Sequence, residues 1–480
     1  MIFPLPYIEN TPTLFDQIAN KPWSILLDSG HTNDGSTHTV GRYDILATAP
    51  LATVVTINKT TTITDTRTNK SYSSTDDPFD LLRDVLDQYR EDIPDAVRQR
   101  IHLPFVGGAM GYFSYDLGRR IEDLPAIALD AEEIPEMAVA IFDSVFIIDH
   151  EKKQSYLSAP SDTKIAKQHH EQWKVWIQQH ETNSTPKKHS VSNLLSRPFK
   201  VTSEVKSNLS FKQYAHAFDK IKAYINAGDC YQVNLTQRFS ASATGDLWTS
   251  YKALKKINPA PFSAYFNTPF GQILSSSPER FLSVENKEVS TKPIKGTRPR
   301  SENKELDEAL IQELKASEKD RAENVMIVDL LRNDLGRVCA TGSVKVPKLF
   351  EIESYATVHH LVSTVTGKLA KNEDALSLLR ASFPGGSITG APKIRAMEII
   401  EELEPHRRGV YCGALGYIDF NGNMDTNIMI RSLIYNNGEV RFWVGGGIVY
   451  DSDVKEEYQE TYDKGAALLQ LLNQFSNKNT

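Results

Sequence analysis

The chain is poor in cysteine and has no apolar run long enough to cross a membrane. Its three cysteines, Cys230, Cys339 and Cys412, lack the spacing of a metal-binding or redox motif, which suits a reducing cytoplasm. The best candidate for a membrane span, residues 134–148, is interrupted by two acidic residues and falls short of the roughly 18 apolar residues required. The first ten residues lack the basic and apolar regions of a secretory signal. We therefore expect a cytoplasmic protein without a membrane partner.

An excess of basic charge is also lacking. The 480 residues carry 54 Lys and Arg against 61 Asp and Glu, a net charge of −7. No overall positive field attracts nucleic acid or anionic lipid, so we expect no nucleic acid partner. An anionic substrate would have to be held by a few local groups. The hydrophobic share of 40% is ordinary for a soluble protein with a large core.

Three segments differ in their residue patterns. In residues 1–160, the N-terminal region, short apolar runs alternate with polar turns, as in strands. Residues 161–207 form a variable helix and linker, rich in Thr, Ser, Pro and Lys after residue 181. Residues 208–475, the candidate catalytic domain, alternate between helix and strand patterns. Short turns at 420–424 and 435–439 predict antiparallel hairpins, so we expect an α+β fold with antiparallel sheets.

Apolar spacing predicts the individual elements. The predicted helices are 80–89, 163–180, 211–227, 304–335, 372–381, 392–403 and 453–475. The predicted strands of the third segment are 262–267, 272–276, 288–292, 413–420, 427–435 and 439–444.

Carboxylates in two predicted helices are candidate metal ligands. Glu457 and Glu460 are three residues apart and share one helix face. Glu323 precedes an apolar stretch that should be buried, and a carboxylate beside it needs a partner such as a hard cation. The spacing alone also fits solvated glutamates or structural ion pairs, because it is common on exposed helices.

Two glycine-rich turns are candidate anion sites. Segment 384–393 runs into a predicted helix, so free N–H groups lie beside Lys393. Gly445–Gly447 follow a strand and allow a ligand to approach the backbone closely. Neither segment fits the mononucleotide or dinucleotide phosphate-binding motifs. Each can also be only a tight turn.

Lys295 and a histidine pair are the remaining candidates. Lys295 lies between a predicted strand and a predicted helix, and neighbouring cations together with desolvation would favour the neutral amine of a nucleophile. Those cations are Lys292, Arg298 and Arg300. Alone, such a lysine is more often a surface or phosphate-contacting residue. His359 and His360 are adjacent on an extended segment, so only one can face a given pocket.

Taken together, these segments resemble the chorismate-utilising enzymes, which include the large subunits of anthranilate synthase and aminodeoxychorismate synthase. The matching segments, in family order, are 228–235, 276–281, 293–298, 323–334, 357–363, 384–393, 413–418, 427–431, 445–447 and 457–461, and the N-terminal region adds 41–46 and 107–125. The resemblance implies large, twisted, mostly antiparallel sheets packed as a sandwich, with helices outside and two interlocked subdomains. It also implies Mg²⁺ as cofactor and chorismate as substrate. Because no cysteine lies in a Gly-x-Cys-x-Gly motif, ammonia would come from a separate glutamine amidotransferase subunit.

The resemblance assigns roles to the matching positions. The implied catalytic residues are Lys295, Glu279 and His360. The implied metal ligands are Glu323 and Glu460, with Glu457 close by or bound through water. The implied substrate-binding residues are Gln232, Thr297, Gly390, Lys393, Tyr417, Arg431, Gly445, Gly446 and Gly447. Of these, Lys393, the Gly390 turn and Arg431 would contact anions, while Tyr417 and the three glycines would hold the enolpyruvyl carboxylate.

Two positions separate branches of the family. Isochorismate and salicylate synthases carry a lysine base where this chain has Gln232, which argues against activation of water. Anthranilate and isochorismate synthases carry alanine where this chain has Lys295. The resemblance therefore favours amination of chorismate at C4 through a covalent Lys295 adduct at C2, for 4-aminobenzoate and folate synthesis. The alternatives are an anthranilate synthase subunit and a protein that only binds chorismate.

A segment of the N-terminal region, 26–30, is similar to the Leu-Leu-Glu-Ser segment that lines a tryptophan pocket in family members. Here Asp28 replaces the glutamate. Core packing explains the two leucines equally well, so we favour a structural role.

Overall fold

The computed structural model describes residues 2–31, 41–91, 103–159, 164–183, 198–355 and 358–476. The helices are α1 (Thr11–Phe15), α2 (Pro78–Glu91), α3 (Lys164–Asn183), α4 (Phe211–Ala227), α5 (Trp248–Ile257), α6 (Lys304–Ala316), α7 (Glu318–Gly336), α8 (Ala375–Ser382), α9 (Lys393–Leu403) and α10 (Val454–Gln474). Two short 3₁₀ turns are Tyr115–Arg120 and Gly386–Ile388. The strands are β1 (Ile2–Leu5), β2 (Ser24–Asp28), β3 (Tyr43–Ala47), β4 (Ala52–Ile57), β5 (Thr60–Asp65), β6 (Lys70–Ser74), β7 (Gly108–Phe113), β8 (Met137–Phe142), β9 (Val145–Asp149), β10 (Gln154–Ser158), β11 (Lys200–Val201), β12 (Lys206–Ser207), β13 (Gln232–Thr244), β14 (Phe262–Thr268), β15 (Gly271–Ser277), β16 (Arg280–Glu285), β17 (Glu288–Thr291), β18 (Ile294–Pro299), β19 (Lys345–Ser354), β20 (Val358–Lys368), β21 (Gly390–Ala391), β22 (Ala414–Asp419), β23 (Met424–Ile428), β24 (Ser432–Asn436) and β25 (Glu439–Ile448).

The strands form two antiparallel sheets. Within the described residues, the first has 13 strands in the order β1-β10-β9-β3-β2-β14-β15-β24-β25-β13-β11, with β12 and β21 beside β13. The second has 12, in the order β18-β20-β17-β16-β23-β22-β7-β8-β4-β5-β6, with β19 beside β20. Apolar residues of both sheets share one buried cluster, in which the rings of Tyr112 and Phe266 are in contact. The predicted α+β sandwich is confirmed.

Both sheets combine strands from distant parts of the chain. Leu26 of β2 pairs with Tyr265 of β14, and Tyr112 of β7 pairs with Leu415 of β22. Strands before residue 160 are thus interleaved with strands after residue 208 in each sheet. The segment boundaries at 160 and 207 stay predictions, and residues 160–163 and 184–197 lie outside the described residues.

Helices pack on the face of the first sheet that points away from the second. Leu468 and Leu472 of α10 lie in a buried cluster with Phe239 and Phe442 of that sheet. Burial of side chains of this size stabilises the fold by roughly 1.5–3 kcal/mol each. This packing fixes the beginning of α10, where Glu457 lies, against the end of β25.

The chain passes between the sheets several times, and two of these crossings lie side by side. It crosses between β15 and β16 at 278–279, and between β23 and β24 at 429–431. The N–H of Ile428 donates to the Glu279 carbonyl at 3.0 Å, and that of Ser276 to the Arg431 carbonyl at 3.1 Å. The prediction of a single strand over 427–435 is wrong. Arg431 adopts a left-handed φ of 50°, which ends the extended run.

The predicted helix over 304–335 is in fact two helices. Ser317 is extended, and its side chain accepts a hydrogen bond from the Asp320 N–H as the N-cap of α7. The other predicted elements are present with ends shifted by a few residues. In the 435–439 hairpin, Asn437 and Gly438 have φ of 51° and 77°, as its turn requires. No helix in the described part of the chain is long and apolar enough to span a bilayer, and the cytoplasmic location stays a prediction.

Candidate active site

Lys295 lies at a bulge in β18 rather than in the predicted loop. The register of β18 against β20 shifts between Ile294 and Thr297, and Gly296 has a φ of 84°. A Cβ at Gly296 would lie 2.8 Å from side-chain atoms of Asp320 and Leu314, so the bulge requires glycine. The bulge places the Lys295 Nζ 3.4 Å from the carbonyl oxygen of Ser387.

Burial lowers the pKa of the Lys295 amine, and the charge of Lys464 lowers it further. The charges of Glu323, Glu279 and Glu460 oppose this change. The cations predicted to act on the amine are instead neutralised by carboxylates. Their pairs are Lys292 with Glu353 at 2.9 Å, Arg298 with Glu313 at 2.7 Å and Arg300 with Asp307 at 3.0 Å. Desolvation, rather than its sequence neighbours, favours the neutral amine.

Glu279 lies at the crossing between β15 and β16, where only 6% of the residue is exposed. Burial raises the pKa of its carboxyl group to about 7, although a hydrogen bond from Ser387 and the charge of Lys295 lower it. The Ser387 hydroxyl donates to Glu279 Oε1 at 2.9 Å. A carboxyl group that titrates near neutral pH can both give and take a proton.

His360 carries a neutral imidazole next to the bulge of β18. Burial, together with the charge of Arg431, lowers the His360 pKa to about 3. Its Nδ1 lies 2.8 Å from the Thr297 hydroxyl, and its Nε2 has no hydrogen-bond partner among the described residues. His359 has a different partner, Asp307, at 2.9 Å, as strand alternation requires. His360 therefore offers an unfilled nitrogen to a ligand.

Three glutamates act on one another electrostatically near Lys295. Glu323 comes from α7, and Glu457 and Glu460 from α10. After burial, the charge of Glu460 helps to raise the pKa of both Glu323 and Glu457. A Cβ at Gly446 would lie 2.9 Å from Glu457 Oε2 and 3.6 Å from Glu460 Oε1. Carboxylate oxygens are the ligands that Mg²⁺ prefers.

Two of these glutamates have lysine partners. Lys464 Nζ lies 2.5 Å from Glu460 Oε1, and Lys319 Nζ lies 3.9 Å from Glu457 Oε1. Within the described ranges, no three His, Cys, Asp or Glu side chains form a ready-made metal site. The donor chemistry fits Mg²⁺, and binding an ion would require Glu460 to exchange its lysine partner. The metal ligands stay a prediction.

The three glycines of β25 lie so close to neighbouring atoms that a side chain at any of them would clash. A Cβ at Gly445 would lie 2.4 Å from the Leu235 carbonyl, and one at Gly447 would lie 2.5 Å from Gln232 Nε2. Gln232 is fully buried, and neither end of its amide has a hydrogen-bond partner in the part of the chain that the structure describes. A buried amide without partners is costly, so it suits contact with a polar ligand.

Arg431 lies at the second crossing. Burial lowers the pKa of its guanidinium group, and its charge acts on His360. No carboxylate of the described residues forms an ion pair with it. A guanidinium without a counter-ion in such a place suits a carboxylate ligand.

Two of the predicted anion contacts are already occupied by the protein. Lys393 Nζ donates to Asp334 at 2.7 Å and to the Ser382 carbonyl at 2.9 Å. Gly390 pairs with Val233, and a Cβ there would lie 2.1 Å from the Gln232 carbonyl. Lys393 is thus held in an internal ion pair, whereas Gly390 lets the backbones of β13 and β21 approach.

Tyr417 lies away from Lys295, in a cavity between the sheets. This cavity of about 930 Å³ is also lined by Arg280, Asp425 and Asp28. Asp28 accepts hydrogen bonds from Lys255 at 2.8 Å and Tyr251 at 2.9 Å. The structure does not bring Tyr417 to the other candidate residues, and the acidic residue of segment 26–30 is held by internal partners.

Sequence patterns missed two residues of the site, Ser387 and Lys464. Ser387 contacts both Glu279 and Lys295. Lys464 pairs with Glu460 one helical turn earlier, and this i, i+4 spacing was a signal that the sequence offered. Nothing in the sequence near Ser387 indicates its two contacts, because Glu279 and Lys295 are 108 and 92 residues away in the chain.

The chain is similar to known proteins over most of its length. The family of chorismate binding enzymes matches residues 36–470. The aminodeoxychorismate synthase component 1 of Escherichia coli K12 is 45% identical over 458 residues, covering 95% of each chain. The anthranilate synthase component 1 of Acetivibrio thermocellus is 37% identical, covering 90% of this chain and 87% of its own. The crystal structure of anthranilate synthase component I from Streptococcus pneumoniae has a TM-score of 0.74 and 33% identity, covering 92% of this chain and 95% of its own. The chain therefore belongs to the family of chorismate binding enzymes.

Proposed function

We propose that the chain catalyses the amination of chorismate at C4 by ammonia, giving 4-amino-4-deoxychorismate. The observation that carries the proposal is the half-buried Lys295, whose amine shares Ser387 with a carboxyl group of pKa about 7. The 45% identity with aminodeoxychorismate synthase component 1 of Escherichia coli supports it. The product would lead to 4-aminobenzoate and folate.

The two carboxylates of chorismate require two sources of positive or hydrogen-bonding groups. Arg431 and the backbone N–H groups around Gly445–Gly447 would hold one carboxylate. Glu323, Glu457 and Glu460 would hold Mg²⁺ near the other, and bound Mg²⁺ would neutralise the ring carboxylate. A protein of net charge −7 would thus bind a dianion through local groups.

In the first displacement, the neutral Lys295 Nζ forms a bond to C2, the two conjugated ring double bonds each shift by one position, and the C4–O bond breaks. Glu279 gives its proton to the departing hydroxyl group, which leaves as water, and takes up the proton lost by the alkylated nitrogen. The neutral His360, hydrogen-bonded to Thr297, would contact the hydroxyl group. Covalent catalysis thereby divides a difficult substitution into two easier steps.

In the second displacement, ammonia forms a bond to C4, both double bonds shift back, and the C2–N bond breaks. Glu279 protonates the lysine nitrogen as it leaves and then accepts a proton from the new C4 ammonium group. The balance is chorismate plus ammonia to 4-amino-4-deoxychorismate plus water. We propose that a separate glutamine amidotransferase subunit supplies the ammonia, since the name of the bacterial relatives, component 1, implies a second component.

The product mixture tests the reaction. Purified protein with chorismate, MgCl₂ and ammonium chloride should give 4-amino-4-deoxychorismate by HPLC, and 4-aminobenzoate only after a separate lyase is added. Anthranilate as the main product would assign the chain to the alternative branch. Binding of chorismate by calorimetry without turnover would favour a protein that only binds it.

Intact-mass measurement tests the nucleophile. Enzyme quenched with chorismate and no ammonia should carry an adduct that Lys295→Ala lacks. Lys292→Ala is the matched control, because Lys292 pairs with Glu353 and should leave the adduct in place. An adduct on Lys295→Ala would show that another residue is alkylated.

A further inference from the structure

Ser387 touches both residues that the proposed reaction uses for bond making and proton transfer. Its hydroxyl donates to Glu279 Oε1 at 2.9 Å, and its carbonyl oxygen lies 3.4 Å from the Lys295 Nζ. Among the residues that the structure describes, it is the one hydrogen-bond partner that these two side chains have in common. A single residue therefore sets the position of the amine relative to the carboxyl group.

The turn that carries Ser387 is held from several sides. The carbonyl of Ile388 accepts hydrogen bonds from Asn234 at 2.9 Å and from Arg408 at 2.8 Å. Thr389 donates from its hydroxyl to the Gly385 carbonyl at 3.0 Å. Because these partners are buried, the turn has little freedom to move. Ser387 is thus fixed before any substrate arrives.

The turn also has no space for a shift toward its neighbours. A Cβ at Gly386 would lie 2.3 Å from Leu330 Cδ2, and one at Gly385 would lie 2.8 Å from Ile428 Cδ1. Ser387 is half-buried between buried neighbours. The tight packing directs its two polar groups toward Glu279 and Lys295.

We propose that Ser387 is a positioning residue that holds the Glu279 carboxyl group and the Lys295 amine at the relative position that proton transfer requires. The proposal rests on the proposed function and deepens it. The hydroxyl favours the ionised form of Glu279, because a donated hydrogen bond stabilises a carboxylate. The carbonyl holds the Lys295 Nζ at 3.4 Å.

The test compares Ser387→Ala and Ser387→Thr with the wild-type enzyme. Ser387→Ala removes the hydroxyl donor but keeps the carbonyl, so the Glu279 pKa rises. In the pH profile of kcat/KM, the inflection of this group should move upward by about one pH unit. Turnover should fall by about 10- to 100-fold with little change in KM. Ser387→Thr keeps a hydroxyl group and should restore most of both.

Ser24→Ala is the matched control, since it removes a buried hydroxyl that donates to the Ala19 carbonyl at 3.0 Å, remote from the site. If Ser387→Ala fails to fold, Ser387→Cys keeps the volume with a weaker donor and should shift the profile in the same direction. A wild-type pH profile in Ser387→Ala, or in Ser387→Cys where Ser387→Ala does not fold, would overturn the proposal. Wild-type enzyme that makes no 4-amino-4-deoxychorismate would instead overturn the proposed function.

Discussion

Burial shifts the protonation equilibria of individual residues around Lys295. Glu279 is pushed toward its acid form, while the Lys295 amine and the His360 ring are pushed toward their neutral forms. All three changes have the same cause, because a low-dielectric site disfavours charge of either sign. Burial therefore favours a neutral nucleophile and a protonated acid in the same site.

Glu279 should make the stability of the protein depend on pH. Its pKa rises from 4.5 to about 7 on folding, so the native state binds more protons and its stability falls as the pH rises between these values. Glu279→Gln removes this dependence. The melting temperature of the variant relative to the wild type should therefore be higher at pH 8 than at pH 4.5. Differential scanning calorimetry measures this, with the exposed Glu204→Gln as control. Equal differences at both pH values would contradict the argument.

At the level of elements, the end of β25 and the beginning of α10 form one unit. Gly446 leaves the space that the carboxyl groups of Glu457 and Glu460 face. Gly446→Ala places a methyl group there and should weaken Mg²⁺ binding by about 10- to 100-fold, as for other supports of metal ligands. Titration calorimetry with Mg²⁺ or Mn²⁺ measures the affinity directly. Gly336→Ala is the control, since a Cβ there meets nothing within 4 Å, and an unchanged affinity in Gly446→Ala would refute the expectation.

Arg408 joins β13 to the turn that carries Ser387. Its guanidinium group donates to Glu404 at 2.7 Å, to the Ile388 carbonyl at 2.8 Å and to the Asn234 carbonyl at 2.7 Å. Arg408→Met leaves Glu404 buried without its partner and should lower the unfolding free energy by about 3–5 kcal/mol. Urea denaturation measures the loss. Arg395→Met, which breaks a partly exposed pair with Glu398, should lower the unfolding free energy by at most about 1 kcal/mol. Equal losses in the two variants would show that Arg408 is no more important for stability than a surface arginine.

Local patterns in the sequence predicted most elements, and the resemblance predicted the sandwich. Periodicity could not show that the run over 427–435 changes sheets at Arg431, because both halves are apolar and extended. Nor could it show that Lys393 is held by Asp334, or that Tyr417 faces the cavity between the sheets. Such outcomes depend on which distant residue fills the space beside a side chain. The positions of Lys295, Glu279 and His360 around one site follow from strand pairings that no local pattern encodes.

At the scale of the whole molecule, the two sheets cannot be completed by either part of the chain alone. β2 needs β14 and β7 needs β22, so separation at residue 160 would leave open edges in both sheets. We expect fragment 161–480 to aggregate when expressed alone and to form a soluble, active complex when co-expressed with fragment 1–160. Size-exclusion chromatography and turnover measure this. A folded, monomeric fragment 161–480 would show that the subdomains are independent.

The pairing of β2 with β14 has a further consequence for how the protein is made. Segment 24–28 leaves the ribosome long before segment 263–267, against which it finally lies. Until then one side of β2 offers unpaired backbone groups and apolar side chains to other chains. Contacts between such distant segments form slowly. The yield of folded enzyme per mRNA should therefore depend on how fast the second half of the chain is translated. It should also depend on chaperones that shield the first half until then.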